Sequence, residues 1–329
     1  WRLCKAYAAP AGWRPEPVTL WKLARGNTPL AAADAIEWGS RRLDIAILGL
    51  FVAPYFVGVY YVAQQVASLP QKLKTSFDPI LAPVITQKLA EGDKAAVARQ
   101  VRQVGFWIIA AQAAIGLSLG IPGEAVMGLI GPEFIGGTAA LAFLLAAEVV
   151  AGTAGGSEGA LVYVARHRNL MISSFMIGVQ AALTVGLILL LDSVRAPGWA
   201  VRWFDLPSDR LPETFVAAGP AIALVLSLGM ASILKARLLC RILDAPVQGW
   251  RWPLIWAAAA AAVVGHAVML LPRRFEFAEL IIGIPLILVT FGVFVWKWGF
   301  TEEDRVLFKM KKPKEITLPP PQGVLPPDR

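Results

Sequence analysis

The chain has 329 residues, a formal net charge of +8, 57% hydrophobic and only 16% charged residues, and a mean hydropathy of +0.59. Soluble domains carry about a quarter charged residues. These proportions exclude an ordinary soluble enzyme, a disordered chain and a nucleic-acid-binding domain, and the basic excess reads as cytoplasmic loops facing anionic lipid.

Residues 1–26 read as a cytoplasmic arm. The chain opens on Trp1 rather than Met and shows no signal peptide, so it reads as a fragment or as a gene model lacking its true start. Hydropathy alone merges 43–69 into one span, which would strand Arg14, Lys22, Arg25, Arg41 and Arg42 outside. Helical periodicity separates the region into two helices. Over 27–50, Asp34, Glu37, Arg41 and Asp44 share one arc, with Ala32, Ile36, Leu43, Ile47 and Leu50 opposite. Over 58–88, Gln64, Ser68, Gln71, Lys72, Thr75 and Thr86 share one face, and Val62, Val66, Leu69, Leu73, Phe77, Ile80 and Val84 the other. The second helix would be about 46 Å long, enough to cross and project into the cytoplasm.

Six further apolar segments follow at 104–122, 137–163, 169–191, 214–235, 253–271 and 278–297, each of the ~20 residues that span hydrocarbon. The expected architecture is therefore an all-α polytopic membrane bundle of about eight helices. Its parts are a helical lobe at 27–241, two extra helices at 242–298 and a charged, Pro-rich tail at 299–329. Basic clusters at 70–103, at Arg166 and Arg168, at Lys235 to Arg251 and from Lys297 onward put both ends in the cytoplasm. The loops at 51–57, 122–136, 192–213 and 272–277 then face the other side; Arg273 and Arg274 run against that rule. Loop 192–213, with Trp199, Trp203 and Phe204, reads as an interfacial loop with aromatic anchors. The tail reads as solvated, disordered and partly polyproline.

Catalytic and metal signals are missing from the sequence. Cys4 and Cys240 make no disulfide framework or metal site, and His167 and His266 have no ligand or triad partners at suitable spacing. No phosphate-binding glycine loop occurs, so no cofactor and no enzyme activity are expected. The informative residues are the charges in the membrane, each costing about 2.5–3.5 kcal/mol at the bilayer centre. In one reading Arg41, Asp44 and Glu37 pair among themselves. In the other, Arg41, Arg42 and Lys72 line a cavity for an anionic group, with Asp34, Glu37 and Asp44 beside them, while Gln64, Gln71 and Thr75 offer neutral hydrogen bonds to sugar hydroxyls. Glu148 is the candidate ion-coupling carboxylate; Glu158, in the same span, reads either as a second, weaker coupling candidate or as a solvated residue near the cytoplasmic end.

The order RLDIAILG (42–49), VGVYYVAQQVASLP (57–70), PILAPVITQ (79–87), EGD (91–93) and MGLIGPEFIGGTAALAFLL (127–145) resembles the second half of polysaccharide flippases. These belong to the multidrug/oligosaccharidyl-lipid/polysaccharide (MOP) exporter superfamily, which includes O-antigen flippases and is related to lipid II flippases and MATE-type exporters. The resemblance implies the C-terminal lobe of a two-lobed transporter whose first lobe is missing, set in a bacterial inner membrane. It implies alternating access, with a lipid-linked (undecaprenyl-diphosphate) oligosaccharide flipped through a central cavity. Membrane lipid and other polysaccharide assembly proteins are the implied partners. Loop 192–213 departs from the short turn usual in the family. A MATE-like cation-coupled exporter of small amphiphiles is the alternative; a membrane-embedded transferase would need a polar catalytic cluster that the sequence lacks.

Overall fold

The computed structural model describes residues 42–193, 213–269, 279–301 and 304, with isolated positions 21, 25, 28, 31 and 39. The side chains at 73–81, 213–214 and 279 lie outside that description. The described residues are helical, joined by turns, and no strand forms among them.

A helical segment over 42–48 ends in a turn at 49–53. Pro54 then opens α1 (Pro54–Ala90), its missing N–H costing nothing in a first turn. This helix begins four residues before the expected position and has 37 residues, or about 55 Å at 1.5 Å per residue. It closes at Gly92 (φ 73°). Asp93 caps α2 (Lys94–Gly120) by accepting the Ala96 N–H at 2.9 Å. Lys88 and Glu91 pair at 2.6 Å on the exposed rim of this turn, where the Glu91 carboxylate raises the Lys88 pKa and Lys88 and Gln87 lower that of Glu91.

The basic stretch 70–103 runs from α1 through the turn at 91–93 into α2. Its residues extend α1 and α2 into an antiparallel pair, because the apolar face continues: Ile85, Val97, Ala98 and Val101 are buried together. The expected loop 122–136 likewise contains a short helix α3 (Gly123–Ile130) and a 3₁₀ turn (Pro132–Gly137). After them come α4 (Thr138–Val164), α5 (Arg166–Ser193), α6 (Gly219–Leu243) and α7 (Pro253–Met269). The last is α8 (Ile284–Phe294), flanked by π turns at Glu279–Gly283 and Val295–Gly299. Most of loop 192–213, all of 272–277 and all of the tail but 299–301 and Asp304 lie outside the described residues, as does the cytoplasmic arm apart from Trp21 and Arg25.

Five of these helices are long and apolar enough to cross a membrane. The chain is thus a multi-pass membrane protein. The amphipathic α1 and the 17-residue α7 fall outside that count. Outward faces agree: Phe175, Leu189, Val263, Val289 and Val293 are each more than half exposed, which lipid tolerates and water does not.

Helix α4 is the hub, packed by α1, α2 and α6, while α5 packs mainly on α6. The pair α7–α8 packs on itself and against α2. Close approach of α2 to α4 relies on Gly152, where a Cβ would lie 2.0 Å from Gln112 Oε1. Gln112 is fully buried and donates to the Pro70 carbonyl at 3.4 Å. That bond ties α1 to α2 at the residue whose ring interrupts the α1 hydrogen-bond ladder.

Candidate functional site

The 42–48 segment and α1 meet at Asp44, which is fully buried. Its carboxyl accepts the Tyr60 hydroxyl at 2.6 Å and the Gln64 amide at 3.0 Å on one oxygen. The other oxygen accepts the Ile45 backbone N–H at 2.8 Å. Burying a carboxyl is affordable only with such saturation. Tyr60 and Gln64 are four apart, so one face of α1 delivers both donors.

The same face continues into a cavity of about 350 Å³. Arg42 contributes from the 42–48 segment; Gln64, Gln65, Ser68, Gln71 and Lys72 line it from α1. Glu148 and Leu144 of α4 and Leu224 of α6 form the facing walls. Arg42 lies over the Tyr61 ring, 5.8 Å from its centroid. Ser68 folds back to donate to the Gln65 carbonyl at 2.6 Å. Glu148 is 6% exposed, on the hub helix.

Among the residues singled out from the sequence, Arg42, Gln64, Gln71, Lys72 and Glu148 thus converge on one cavity, with Asp44 bonded to Gln64 at its rim. Asp34, Glu37 and Arg41, and the side chain of Thr75, lie outside the described residues. Tyr60, Gln65 and Ser68 were missed as site residues. The i,i+4 spacing from Gln64 pointed to Tyr60 and Ser68; no signal marked Gln65.

Glu158 sits away from the cavity. It is 25% exposed and accepts an ion-paired hydrogen bond from Lys235 of α6, itself 8% exposed. Lys235, a member of the basic cluster expected in the cytoplasm, is buried and crosslinks α4 to α6. Arg251 is similarly enlisted. It donates to Gly299 O at 2.7 Å and Asp304 at 2.6 Å, and lies 3.9 Å from the Phe106 ring centroid. Burial opposes ionisation of Asp304, but hydrogen bonds from Arg251, Thr301 and Gln103 outweigh it and hold the carboxyl below its ordinary pKa. Among the described residues, no group of three or more His, Cys, Asp or Glu could hold a metal ion.

Compared with protein-family models, with curated proteins and with solved structures, the chain matches none.

Proposed function

We propose that this chain is one lobe of a MOP-type flippase, moving a lipid-linked oligosaccharide across a bacterial inner membrane. The observation that carries this reading is the mixed lining of the cavity. Arg42 and Lys72 offer charge for a diphosphate, and the Gln64, Gln65, Ser68 and Gln71 stripe offers neutral donors and acceptors for sugar hydroxyls. A lipid carrier need not enter: its tail stays in hydrocarbon while the headgroup occupies the polar stripe. Taking the expected 27–50 helix, of which 42–48 is described, with α1 and α7 as spans would bring the five apolar helices to the eight expected from the sequence. The basic clusters in the sequence support a reading with both ends in the cytoplasm.

Native mass spectrometry of the purified chain with undecaprenyl diphosphate and with uncharged undecaprenol tests this. The diphosphate should be retained, and Arg42→Gln with Lys72→Gln should weaken it by at least about tenfold, or 1.4 kcal/mol. Equal retention of both lipids, or no change in the double variant, overturns the reading. The placement of Glu148 in the same cavity favours a second reading, a cation-coupled exporter of small amphiphiles. In that case ethidium would be retained and the diphosphate would not.

A further inference from the structure

Five tryptophans that the cavity does not use gather at one end of the bundle. Trp250, Trp252 and Trp256 belong to the α6–α7 connection and the start of α7, and Trp296 and Trp298 to the end of α8. Each is between 45% and 73% exposed. They form one group, because Arg251, between Trp250 and Trp252, donates to the carbonyl of Gly299 beside Trp298. Both helices show the same order along their axes. Val263, Val289 and Val293 are exposed further in, the indoles follow, and the Arg251–Asp304–Gln103 hydrogen bonds cap the end. Apolar surface, then indole, then a saturated polar cap is the sequence of environments from hydrocarbon through headgroups to water.

We propose that this collar docks in the headgroup–glycerol layer and marks one boundary of the bilayer. The α1–α2 pairing carries that boundary across the bundle. The Trp107 ring of α2 lies tilted against Phe300, centroids 4.6 Å apart, and so is level with the collar. Gln112 meets Pro70, and Val97 is buried with Ile85, which sets residue 75 of α1 opposite Trp107. From there to Pro54 is ~32 Å of helix at 1.5 Å per residue, against ~30 Å of hydrocarbon. The turn at 49–53 therefore falls on the opposite boundary, although nothing in the collar required it to. Two consequences follow. The α1–α2 turn stands ~22 Å outside the membrane. Within it, Lys72 lies only ~5 Å inside the boundary and Gln64 ~16 Å inside, near the midplane. The cavity then runs from headgroup depth to mid-membrane. Only that last point bears on the flippase reading; the boundary itself does not rest on it.

Spin-label accessibility in nanodiscs tests the boundary without any substrate. In a Cys4→Ser/Cys240→Ser background, single labels go to Arg99→Cys, Trp256→Cys, Trp298→Cys and Val289→Cys. Position 99 should be open to aqueous nickel and 289 to oxygen alone. Positions 256 and 298 should be intermediate, with 298 ~13 Å shallower than 289. Ile255→Cys and Lys297→Cys keep every tryptophan and give the same reading should the tryptophan variants misfold. Water-like accessibility at 255, 256, 297 and 298 overturns the proposal, as does protection from both nickel and oxygen there, the signature of a face covered by another protein. So does hydrocarbon-like burial there, or nickel protection at 99. Loss of diphosphate binding leaves these depths unchanged, so the two readings fail separately.

Discussion

Gly249 offers a sharp steric test of how the α6–α7 connection is held. A methyl built there would lie 2.4 Å from Phe106 N, 2.6 Å from the Gly105 carbonyl carbon and 2.9 Å from Arg102 O. All three are backbone atoms of α2, so no side chain can rotate away. Gly249→Ala must therefore lift the connection by about 1 Å to reach ordinary contact distance. Overpacking alone costs about 1–3 kcal/mol. The lift also pulls Arg251 from the Gly299 carbonyl and Asp304, two charge-assisted bonds of 2.7 and 2.6 Å, and such bonds contribute about 1.5–3 kcal/mol each. With partial relaxation the expected loss is about 3–5 kcal/mol. Gly178→Ala is the control: it adds the same methyl to a helix at a position with nothing within 4 Å. It should be neutral or stabilise by up to about 1 kcal/mol. Denaturant unfolding in micelles gives both values, and hydrogen exchange at 299–301 reports release of the cap. If Gly249→Ala and Gly178→Ala differ by less than about 0.5 kcal/mol, a change typical of an unconstrained surface site, the backbone contact does not hold this connection in place.

The Lys235–Glu158 pair should respond asymmetrically. Glu158→Gln strands an ammonium that is 8% exposed, whereas Lys235→Met leaves a carboxylate that is 25% exposed. The first should cost about 3 kcal/mol or more and the second less, with the double variant recovering part of the loss; additive single effects in an unfolding cycle would refute the pairing. Asp304 predicts an acid limb. Its folded pKa is depressed, so its contribution is complete above the ordinary aspartate value of about 3.9 and is lost as pH falls through the lower folded value. The stability gap between wild type and Asp304→Asn should therefore shrink on acidification, and a gap that widens is the contrary outcome. At Asp44, Tyr60→Phe removes a buried 2.6 Å bond and should cost about 1.5–3 kcal/mol if the carboxylate is charged; a thermal midpoint indistinguishable from wild type would deny the bond.

Much of the architecture was legible because membranes impose a simple rule: backbone must be satisfied within helices, so apolar length predicts spans. The six apolar segments all appear as helices, with ends shifted by a few residues to about ten. The largest shift is in α2, which starts at Lys94 rather than 104. Hydropathy stops at the membrane boundary, whereas the helix continues as long as one face stays apolar, as Val97, Ala98 and Val101 do. The α1 stripe was legible for the complementary reason. Gln64, Ser68, Gln71 and Lys72 repeat at helical spacing, and that period alone orients them together. What periodicity cannot give is the partner across the gap. Nothing in the sequence pairs Lys235 with Glu158, 77 positions away, or Arg251 with Asp304, 53 positions away. The sequence reads both basic residues only as members of a cytoplasmic cluster, because positive charge at a span's end sets topology. Here the helix ends pack together outside the apolar stretch, and each cation is drawn into a crosslink.

The cavity and the packing hub have a common cause in α4. Where α2 approaches, α4 carries Gly152, and there is no room for a side chain beside Gln112. One and two turns earlier α4 carries Glu148 and Leu144, which line the cavity opposite the polar side of α1. The two helices cannot close there, because α1 presents amides and a lysine that would lose hydration against a packed apolar surface. Facing lipid instead would put Lys72 and Arg42 in hydrocarbon, where a charge costs up to about 2.5–3.5 kcal/mol, the full value applying at the bilayer centre. A wet gap between α1, α4 and α6 relieves both penalties, and the ring of buried leucines and alanines around Tyr60 holds the gap open by fixing α1 above it. The polar stripe is therefore retained at a stability cost that packing alone does not require. A chain selected only to fill a bilayer would have leucine at 64, 68 and 71, and that difference is the physical argument for a polar solute in this cavity.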